Sequence, residues 1–108
     1  MKEIRFYKTV NDKIPFESWY RTKDKAVKSR ILARLQNVQR GTYGAHRNFT
    51  NGVKELKFTS GDRVYFAEFD NIIILLLCGG DKTRQSNDIE KAIEYLQDYN
   101  ERVTNHEQ

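Results

Sequence analysis

The sequence contains very little cysteine or proline: Cys78 and Pro15 are the only examples in 108 residues. A single cysteine cannot form an internal disulfide, which excludes a small domain stapled by its own disulfide bridges. No apolar run reaches the roughly 18 residues that a membrane-spanning helix requires. The first ten residues alternate polar and apolar types and lack the apolar centre of a signal peptide. We therefore expect a cytoplasmic protein that does not associate with a membrane.

Several kinds of catalytic site are also missing from the sequence. Its two histidines and one cysteine do not have the spacing of a zinc site. Its acidic residues do not cluster as a two-metal site requires. The segment "GAHRNFTNG" (44–52) lacks the Gly-Lys-Ser/Thr ending of a phosphate-binding loop, and no Gly-x-Ser-x-Gly motif is present. Any chemistry is therefore expected to need no metal or other cofactor, and to use lysine, arginine, tyrosine or histidine.

Composition and size indicate one soluble globular domain, spanning residues 1–108. Hydrophobic residues make up 38% of the chain and charged residues 31%. The net charge of +4 is divided unevenly, because residues 1–66 carry a net charge of +9 and residues 67–108 carry −5. A basic body of this kind can bind a polyanion such as nucleic acid. The alternative is an ordinary solvated surface with an acidic last helix.

Hydrophobic periodicity predicts seven elements of secondary structure. Residues 3–9 alternate as a strand does, Pro15 begins a short helix over 15–22, and Asp24 caps a second helix that ends before Gly41. Three closely spaced strands are predicted over 53–58, 63–69 and 72–78, followed by a helix from Asn87, where Asn87 and Glu90 form a capping box. The order β-α-α-β-β-β-α predicts an α+β domain with a mostly antiparallel four-stranded sheet and a helical hairpin on one face.

The alternation of side chains along the strands predicts a polar patch on one face of the sheet. Glu55, Lys57, Arg63 and Tyr65 share the face opposite to the apolar set that packs on the hairpin. The strand 72–78 is apolar on both sides, so the last helix must cover part of the second face. We expect Lys57, Arg63 and Tyr65 to lie on the uncovered part. The alternatives are that Lys57 and Arg63 are ordinary solvated strand residues and that Tyr65 packs against the last helix.

The segment "GGDKTRQ" (79–85) follows the most apolar strand directly. Its glycines are expected to let the chain turn sharply from the strand into the last helix. Lys82 and Arg84 would then reach the same polar face as Lys57 and Arg63. The segment is therefore predicted to bring cations to the rim of this polar face.

Three segments together resemble the RelE/ParE superfamily of toxins from bacterial type II toxin–antitoxin modules. They are "NGVKELKF" (51–58), "SGDRVYF" (60–66) and "LCGGDKTRQSNDIEKAIEYL" (77–96), and the similarity is nearest to the phage-derived, HigB-like killer-protein branch. It extends over about residues 3–103. The resemblance implies a RelE-like, microbial-RNase-like fold. It also implies either cleavage of mRNA in the ribosomal A site, as RelE- and HigB-like toxins perform, or poisoning of DNA gyrase, as ParE-like toxins perform.

The resemblance also implies site residues and partners. Lys57, Arg63 and Lys82 match basic catalytic positions of RelE-type nucleases, whereas Glu55 replaces a lysine, and "QSNDI" (85–89) stands where RelE has a tyrosine. Arg63 would bind the scissile phosphate, Lys82 would add a positive charge, and Lys57 would act as a base. Contacts with RNA are further expected from six residues: Arg34, His46, Arg47, Lys54, Tyr65 and Arg84.

Three functions are compatible with this pattern. The first is a ribosome-dependent mRNA endonuclease that inhibits translation, the second is a gyrase poison without nuclease activity, and the third is a member of the fold that is neither toxic nor catalytic. The expected partners are the ribosome, mRNA and a cognate antitoxin of helix-turn-helix type. The toxin and antitoxin could form a hetero-oligomer.

Overall fold

Five strands form one mixed sheet in the computed structural model, which describes the backbone of residues 1–107 and the side chains of residues 1–105. The strands are β1 (Glu3–Phe6), β2 (His46–Asn48), β3 (Lys54–Lys57), β4 (Asp62–Phe69) and β5 (Ile73–Asp81). The helices are α1 (Pro15–Tyr20), α2 (Lys25–Gln39) and α3 (Gln85–Glu107). Single 3₁₀ turns lie at Thr50–Gly52 and Lys82–Arg84.

The sheet has the strand order β1-β5-β4-β3-β2, which corrects the predicted architecture. The expectation of a RelE-like, mostly antiparallel four-stranded sheet is wrong, because β2 adds a fifth strand and β1 pairs with β5 in parallel. The other three pairings are antiparallel. The position of β5 between β1 and β4 has a physical reason: β5 is apolar on both faces, so its most stable place is inside the sheet with a neighbour on each side. The α+β class agrees with the prediction.

Two hydrophobic layers lie on opposite sides of this sheet, and we name the faces after the helices that cover them. On the α1–α2 face, Phe16, Ile31, Leu35 and Val38 pack against β3, β4 and β5. On the α3 face, Ala92 and Leu96 pack against β4 and β5 from the other side. This arrangement confirms the predicted division of side chains between the hairpin and the last helix.

Gly79 and Gly80 lie inside β5, so the expectation that they turn the chain is wrong. A Cβ atom on Gly79 would overlap the ring of Trp19, and a Cβ atom on Gly80 would overlap the carboxylate of Asp88. The two glycines therefore make room for side chains that approach β5 from opposite faces. The chain leaves the strand only after Asp81.

Two helix starts differ in how well the sequence predicted them. Asp24 caps α2 as expected, because its Oδ1 atom accepts a hydrogen bond of 2.9 Å from the backbone N–H of Val27. The capping box at Asn87 is wrong, since α3 begins at Gln85 and continues directly from the 3₁₀ turn. Asp81 caps that turn by accepting a 2.9 Å hydrogen bond from the N–H of Thr83.

Within the described residues, no helix has both the length and the apolar character needed to cross a membrane.

Candidate polyanion site at one end of the sheet

The strand register gathers three cationic residues at one end of the α3 face. Lys57 on β3 pairs with Arg63 on β4, and Arg63 pairs with Gly80 on β5. One step further, the N–H of Lys82 donates a 2.9 Å hydrogen bond to the carbonyl oxygen of Gly61. Directly paired residues point to the same face of a sheet. We call Lys57, Arg63 and Lys82, which this register brings together, the basic edge.

Arg63 is largely enclosed. Its side chain is 15% exposed, and its Nη1 atom donates a 3.0 Å hydrogen bond to the carbonyl oxygen of Asp62. Its Nε atom is buried without a hydrogen-bond partner and lies 4.0 Å from Oε2 of Glu55. The guanidinium therefore retains unused donors, and a guanidinium can hold a phosphate with two parallel hydrogen bonds.

Glu55 is wholly buried beside this guanidinium. Its Oε2 atom accepts a 2.9 Å hydrogen bond from Nε2 of Gln85, the first residue of α3. Its Oε1 atom has no hydrogen-bond partner. A buried carboxylate is costly unless it is paired or hydrogen-bonded. Glu55 has both kinds of partner, the guanidinium of Arg63 and the amide of Gln85, so the protein holds a buried carboxylate directly beside the basic edge.

Tyr65 is also wholly buried, so the expectation that it lies on an uncovered surface is wrong. It packs in the layer formed with Ala92 and Leu96 of α3, which was the alternative interpretation. Its hydroxyl has no hydrogen-bond partner. Burial raises the pKa of this hydroxyl far above its ordinary value, and the nearby carboxylate of Glu55, as a potential hydrogen-bond acceptor and as a charge, and then the charge of Asp88 raise it further. The position under α3 leaves Tyr65 no direct contact with RNA.

Asp88 reaches the same region from α3. Its Oδ2 atom packs on the backbone of Gly80, directly beside Arg63 in the register, and is buried without a hydrogen-bond partner. Burial raises the pKa of Asp88 and the nearby charge of Asp81 raises it further. The sequence reasoning missed this residue. The sequence contained one indication of it: Asp88 is the acid in "QSNDI", the segment that departs from the RelE pattern.

In the described part of the chain, four buried side-chain atoms lack hydrogen-bond partners, and they belong to Glu55, Arg63, Tyr65 and Asp88. We call these four residues the polar cluster. Glu55 pairs with Tyr65 in the sheet, and Asp88 packs on the glycine that pairs with Arg63. Buried unpartnered atoms are uncommon in folded proteins and are often found where a protein binds or reacts. Their concentration beside the basic edge makes this end of the sheet the candidate site.

Arg34 was expected to contact RNA, but its guanidinium is engaged inside the protein. Nε, Nη1 and Nη2 donate hydrogen bonds to the carbonyl oxygens of Tyr43, Lys57 and Ala45 at 2.8, 2.8 and 2.6 Å. The guanidinium also lies over the ring of Phe58, 4.9 Å from its centre. These contacts give Arg34 a structural role, which RNA binding would disrupt.

The other residues expected to bind RNA divide between the two faces. His46 and Lys54 pair with Leu56 and Phe66, which places them on the α1–α2 face, away from the basic edge. Arg47 pairs with Glu55 on the α3 face, where its guanidinium stacks 4.9 Å from the centre of the Phe49 ring. Arg84 is exposed at the end of the 3₁₀ turn and lines a cleft with Asp88.

The site therefore combines fixed cations with carboxylates. Cations can neutralise the charge of a phosphate, whereas carboxylates can accept or deliver protons. Among the described residues, no group of three His, Cys, Asp or Glu side chains is placed to hold a metal ion.

Comparison with known proteins places the chain in a family. No family model matches it. A protein of Haemophilus influenzae (strain ATCC 51907 / DSM 11121 / KW20 / Rd), described as uncharacterized, is 35% identical over an 82-residue alignment. The alignment covers 73% of this chain and 83% of the Haemophilus protein. The chain belongs to the same family as this Haemophilus protein.

Proposed function

We propose that the protein is the toxin of a type II toxin–antitoxin module and cleaves mRNA on the ribosome. The observation that carries this proposal is the position of buried Glu55 beside Arg63 and the basic edge. The resemblance of three sequence segments to the RelE/ParE toxins, and to their HigB-like branch in particular, supports it independently of the sheet topology. This activity would place the protein in the cytoplasm, where ribosomes and mRNA are found.

The proposed reaction uses the 2′-OH of RNA as the nucleophile. Glu55 takes the proton of the 2′-OH, because a carboxylate can accept a proton directly, whereas an ammonium such as that of Lys57 must first lose one. Arg63 binds the scissile phosphate, and Lys57 and Lys82 add positive charge as negative charge grows on phosphorus. This assignment replaces the earlier expectation that Lys57 is the base.

Access to Glu55 requires movement of the side chains that bury it, Gln85 among them. The amide of Gln85 covers the carboxylate through a single 2.9 Å hydrogen bond. Breaking one such bond costs about 0.5–1.5 kcal/mol, which the binding of an RNA polyanion to three cations can offset. The ribosome would supply the orientation of the substrate that a small exposed site lacks. A cognate helix-turn-helix antitoxin would inhibit the protein by covering the basic edge in a toxin–antitoxin complex.

A second candidate function is poisoning of DNA gyrase without nuclease activity. The covering of Glu55 by Gln85 favours it, because in this closed arrangement the proposed base does not contact solvent. In this case the protein would act by binding gyrase, and changes at Glu55 would leave toxicity intact.

The test is primer extension on a defined mRNA, with and without translating ribosomes. Wild type is compared with Arg63→Ala, Glu55→Gln and Arg30→Ala, an exposed arginine on α2 that serves as the matched control. We expect ribosome-dependent cuts that fall about 10²–10³-fold in Arg63→Ala and about 10²–10⁴-fold in Glu55→Gln. The control should cut as wild type does.

Two results would contradict the nuclease proposal. Equal cutting by wild type and Arg63→Ala would remove Arg63 from the site. Absence of cuts by wild type under either condition would reject cleavage altogether. A DNA-cleavage assay with purified gyrase would then separate a gyrase poison from an inactive protein.

A further inference from the structure

The outer side of β1 carries backbone groups that the protein leaves unpaired. β1 is the last strand of the sheet, so only the side that faces β5 has a neighbouring strand. On that side the N–H groups of Glu3 and Tyr7 donate hydrogen bonds to carbonyl oxygens at and just before β5. Because backbone groups alternate in direction along a strand, those of Ile4 and Phe6 point away from β5. In the described part of the chain, none of these four N–H and C=O groups has a hydrogen-bond partner.

The protein itself closes this edge at both ends. At Lys2, the carbonyl oxygen and the N–H both form hydrogen bonds with Gln39, at 3.2 and 2.9 Å, so the end of α2 covers the strand there. At Lys8, the carbonyl oxygen accepts a hydrogen bond from the guanidinium of Arg102 on α3. The open segment is therefore residues 4–6, and the two closed positions are equally far from its middle residue.

Exposed hydrophobic side chains concentrate along the open segment. Phe6 is 50% exposed, although its ring centre lies 5.9 Å from that of Phe16. Leu32 is also half exposed and lies two helical turns before Gln39, on the flank of α2 that reaches β1. In the described chain six large hydrophobic side chains are exposed, and four of them lie around β1: Met1, Phe6, Leu32 and Ile72. Exposed apolar patches of this kind mark interaction surfaces.

The apolar side chains of the open segment lie on the α1–α2 face. Ile4 pairs with Ile74 and Phe6 pairs with Leu76, and both of these β5 residues belong to the layer on that face. Leu32 approaches from α2 on the same face. We call Ile4, Phe6 and Leu32 the apolar edge.

The opposite edge of the sheet lacks these properties. The three residues of β2 are polar and exposed, and Arg47 is at the middle of the strand. Short, charged edge strands discourage pairing with another chain. β1 is therefore the edge that is suited to pairing.

We propose that two copies of the protein pair through the apolar edge and form a two-fold symmetric dimer. The two β1 strands run antiparallel, with Arg5 on the symmetry axis and Ile4 opposite Phe6 of the second copy. Each such pair exchanges two hydrogen bonds, so the four unpaired groups of each copy all find partners. The two five-stranded sheets then become one continuous sheet. This inference does not depend on the proposed nuclease function.

The closed ends of the edge fix the register of this pairing. A shift by two residues in one direction would place Phe6 opposite Lys2, where the end of α2 already occupies the edge. A shift in the other direction would place Ile4 opposite Lys8, where α3 occupies it. A shift by one residue would set outward-facing backbone groups against inward-facing ones. A second copy is therefore the partner that matches both the length and the ends of the open segment.

The side chains on both faces are compatible with this pairing. On the α1–α2 face, Ile4 and Phe6 of both copies form one apolar cluster, and Leu32 of each copy borders it. On the α3 face, the two Arg5 side chains lie opposite each other, and each forms an ion pair with Glu3 of its own copy. Each Glu3 also lies diagonally across from Arg5 of the second copy, within reach of a long side chain. The charges at the axis therefore cancel.

The size of the contact predicts a reversible dimer. A half-exposed phenylalanine contributes roughly 100 Å², so the exposed side chains around β1 and the backbone between them offer about 500 Å² per copy, near the lower limit of specific interfaces. We therefore expect a dissociation constant in the micromolar range. Arg63 of the basic edge pairs with Gly80, four residues beyond the last β1 partner, Leu76, so the dimer leaves the basic edge uncovered.

The first test places a cysteine on the symmetry axis. Residues opposite each other in a non-hydrogen-bonded antiparallel pair have Cα atoms about 4.5 Å apart, which a disulfide can span. We expect Arg5→Cys to form a covalent dimer under mild oxidation, detected on a non-reducing gel. Glu3→Cys is the matched control, because its two copies would be about 13 Å apart and should not link. Cys78 is buried in both variants.

The second test measures the equilibrium by sedimentation velocity at low to high micromolar concentration. Wild type should pass from 12.8 kDa toward twice this mass. Arg5→Glu and Glu3→Arg each leave only like charges at the axis, so each should dimerise at least about 10-fold more weakly. An equimolar mixture of the two should regain the dimer, because every contact then joins opposite charges. Arg47→Glu, the same charge reversal on β2, is the matched control and should dimerise as wild type does.

The variants should keep the native fold, because the side chains of Glu3 and Arg5 are 56% and 48% exposed. Circular dichroism checks this. Leu32→Ser changes the apolar edge outside the strand and should also weaken the dimer about 10-fold.

Four results would overturn the proposal. They are a wild type that stays monomeric over the whole concentration range, a dimer that both charge reversals leave unchanged, a mixture that does not regain the dimer, and equal cross-linking of Arg5→Cys and Glu3→Cys. Each of them would leave the proposed nuclease function untouched, and absence of nuclease activity would leave the dimer untouched.

Discussion

At the scale of single residues, the packing of β5 depends on the absence of two side chains. Gly79 admits the ring of Trp19 on the α1–α2 face, and Gly80 admits Asp88 on the α3 face. Trp19 is also held by Phe16, with ring centres 5.9 Å apart, and lies under the ammonium of Lys23 at 5.0 Å. The ring therefore has little freedom to move away from a larger residue at position 79.

Gly79→Ala should lower the free energy of unfolding by about 1–3 kcal/mol, because the added methyl overlaps the Trp19 ring. Urea unfolding followed by circular dichroism measures this change. The control is the same substitution in a Trp19→Leu background, where the space is open and the cost should fall by more than half. An equal cost in both backgrounds would show that Trp19 is not the cause.

The sequence predicts part of the site at this scale, for a definite reason. Alternation along a strand is a local property, so the common face of Lys57, Arg63 and Tyr65 could be predicted from it. The burial of Tyr65 and the contribution of Asp88 could not, because both depend on where α3 crosses the sheet. That crossing brings together residues that are far apart in the sequence, such as Glu55 and Gln85.

At the scale of elements, the segment between α2 and β3 shows the limit of periodicity most clearly. The three residues of β2, His46–Asn48, are all exposed and polar, and no alternation marks them as a strand. The ladder with β3 and the contacts of Arg34 fix the segment instead. The long helices and the apolar strands were predictable because they bury continuous stripes of side chains.

Arg34 joins α2 to this segment and to the end of β3, so its removal should affect several elements. Arg34→Ala removes three hydrogen bonds to backbone carbonyl groups, although that of Ala45 still accepts one from the N–H of Lys57. It should lower the free energy of unfolding by about 1–3 kcal/mol. Arg34→Lys should be nearly as destabilising, because one ammonium cannot reproduce the three-pronged geometry of a guanidinium. Urea unfolding measures both variants.

The matched control for this prediction is Arg30→Ala, an exposed arginine one turn earlier on α2, which should change the stability by less than about 0.5 kcal/mol. Equal stabilities of Arg30→Ala and Arg34→Ala would show that the hydrogen bonds of Arg34 to the backbone do not stabilise the fold. Because Arg34 binds the carbonyl oxygen of Lys57, it also fixes the backbone of the basic edge from the opposite side of the sheet.

At the scale of the whole molecule, buried or partly buried carboxylates connect elements that are distant in the chain. Near the N-terminus, Lys2 donates hydrogen bonds to Glu68 on β4 and to Tyr43, at 2.5 and 2.8 Å, and Tyr43 also donates to Glu68. Burial alone would raise the pKa of Glu68. The hydrogen bonds from Lys2 and Tyr43 outweigh burial and lower it.

Two further carboxylates follow the same pattern. For Asp62, burial raises the pKa, but hydrogen bonds from Ser60 and Lys23 outweigh it, so that the pKa is lowered. Asp98 on α3 accepts a 2.6 Å hydrogen bond from the hydroxyl of Tyr7, and this bond lowers its pKa. In each case the native protein holds the carboxylate in its ionised form more strongly than the unfolded chain does.

The protein should therefore lose stability in acid. A carboxylate with a lowered pKa contributes stability above its unfolded-state value, here 4.5 for Glu68 and 3.8 for Asp62 and Asp98, and this contribution is lost as the pH falls through the folded-state pKa. Asp88, whose pKa is raised, acts in the opposite direction. The pKa values of Glu3 and Asp81 are also lowered, by hydrogen bonds from Arg5 and Thr83. Since the carboxylates with lowered pKa values outnumber Asp88, urea unfolding between pH 7 and pH 3 should show a falling free energy of unfolding below about pH 5.

Glu68→Gln measures how much one carboxylate contributes to this loss of stability in acid. The variant should be less stable than wild type at pH 7, where it lacks the ion pair with Lys2, and the difference should shrink as the pH falls and Glu68 of the wild type takes up a proton. Its stability should therefore decline less steeply in acid, whereas Glu90→Gln, an exposed carboxylate on α3, should keep the wild-type slope. Parallel curves for Glu68→Gln and wild type would show that the pair with Lys2 does not connect the N-terminus to β4 in the way the structure indicates.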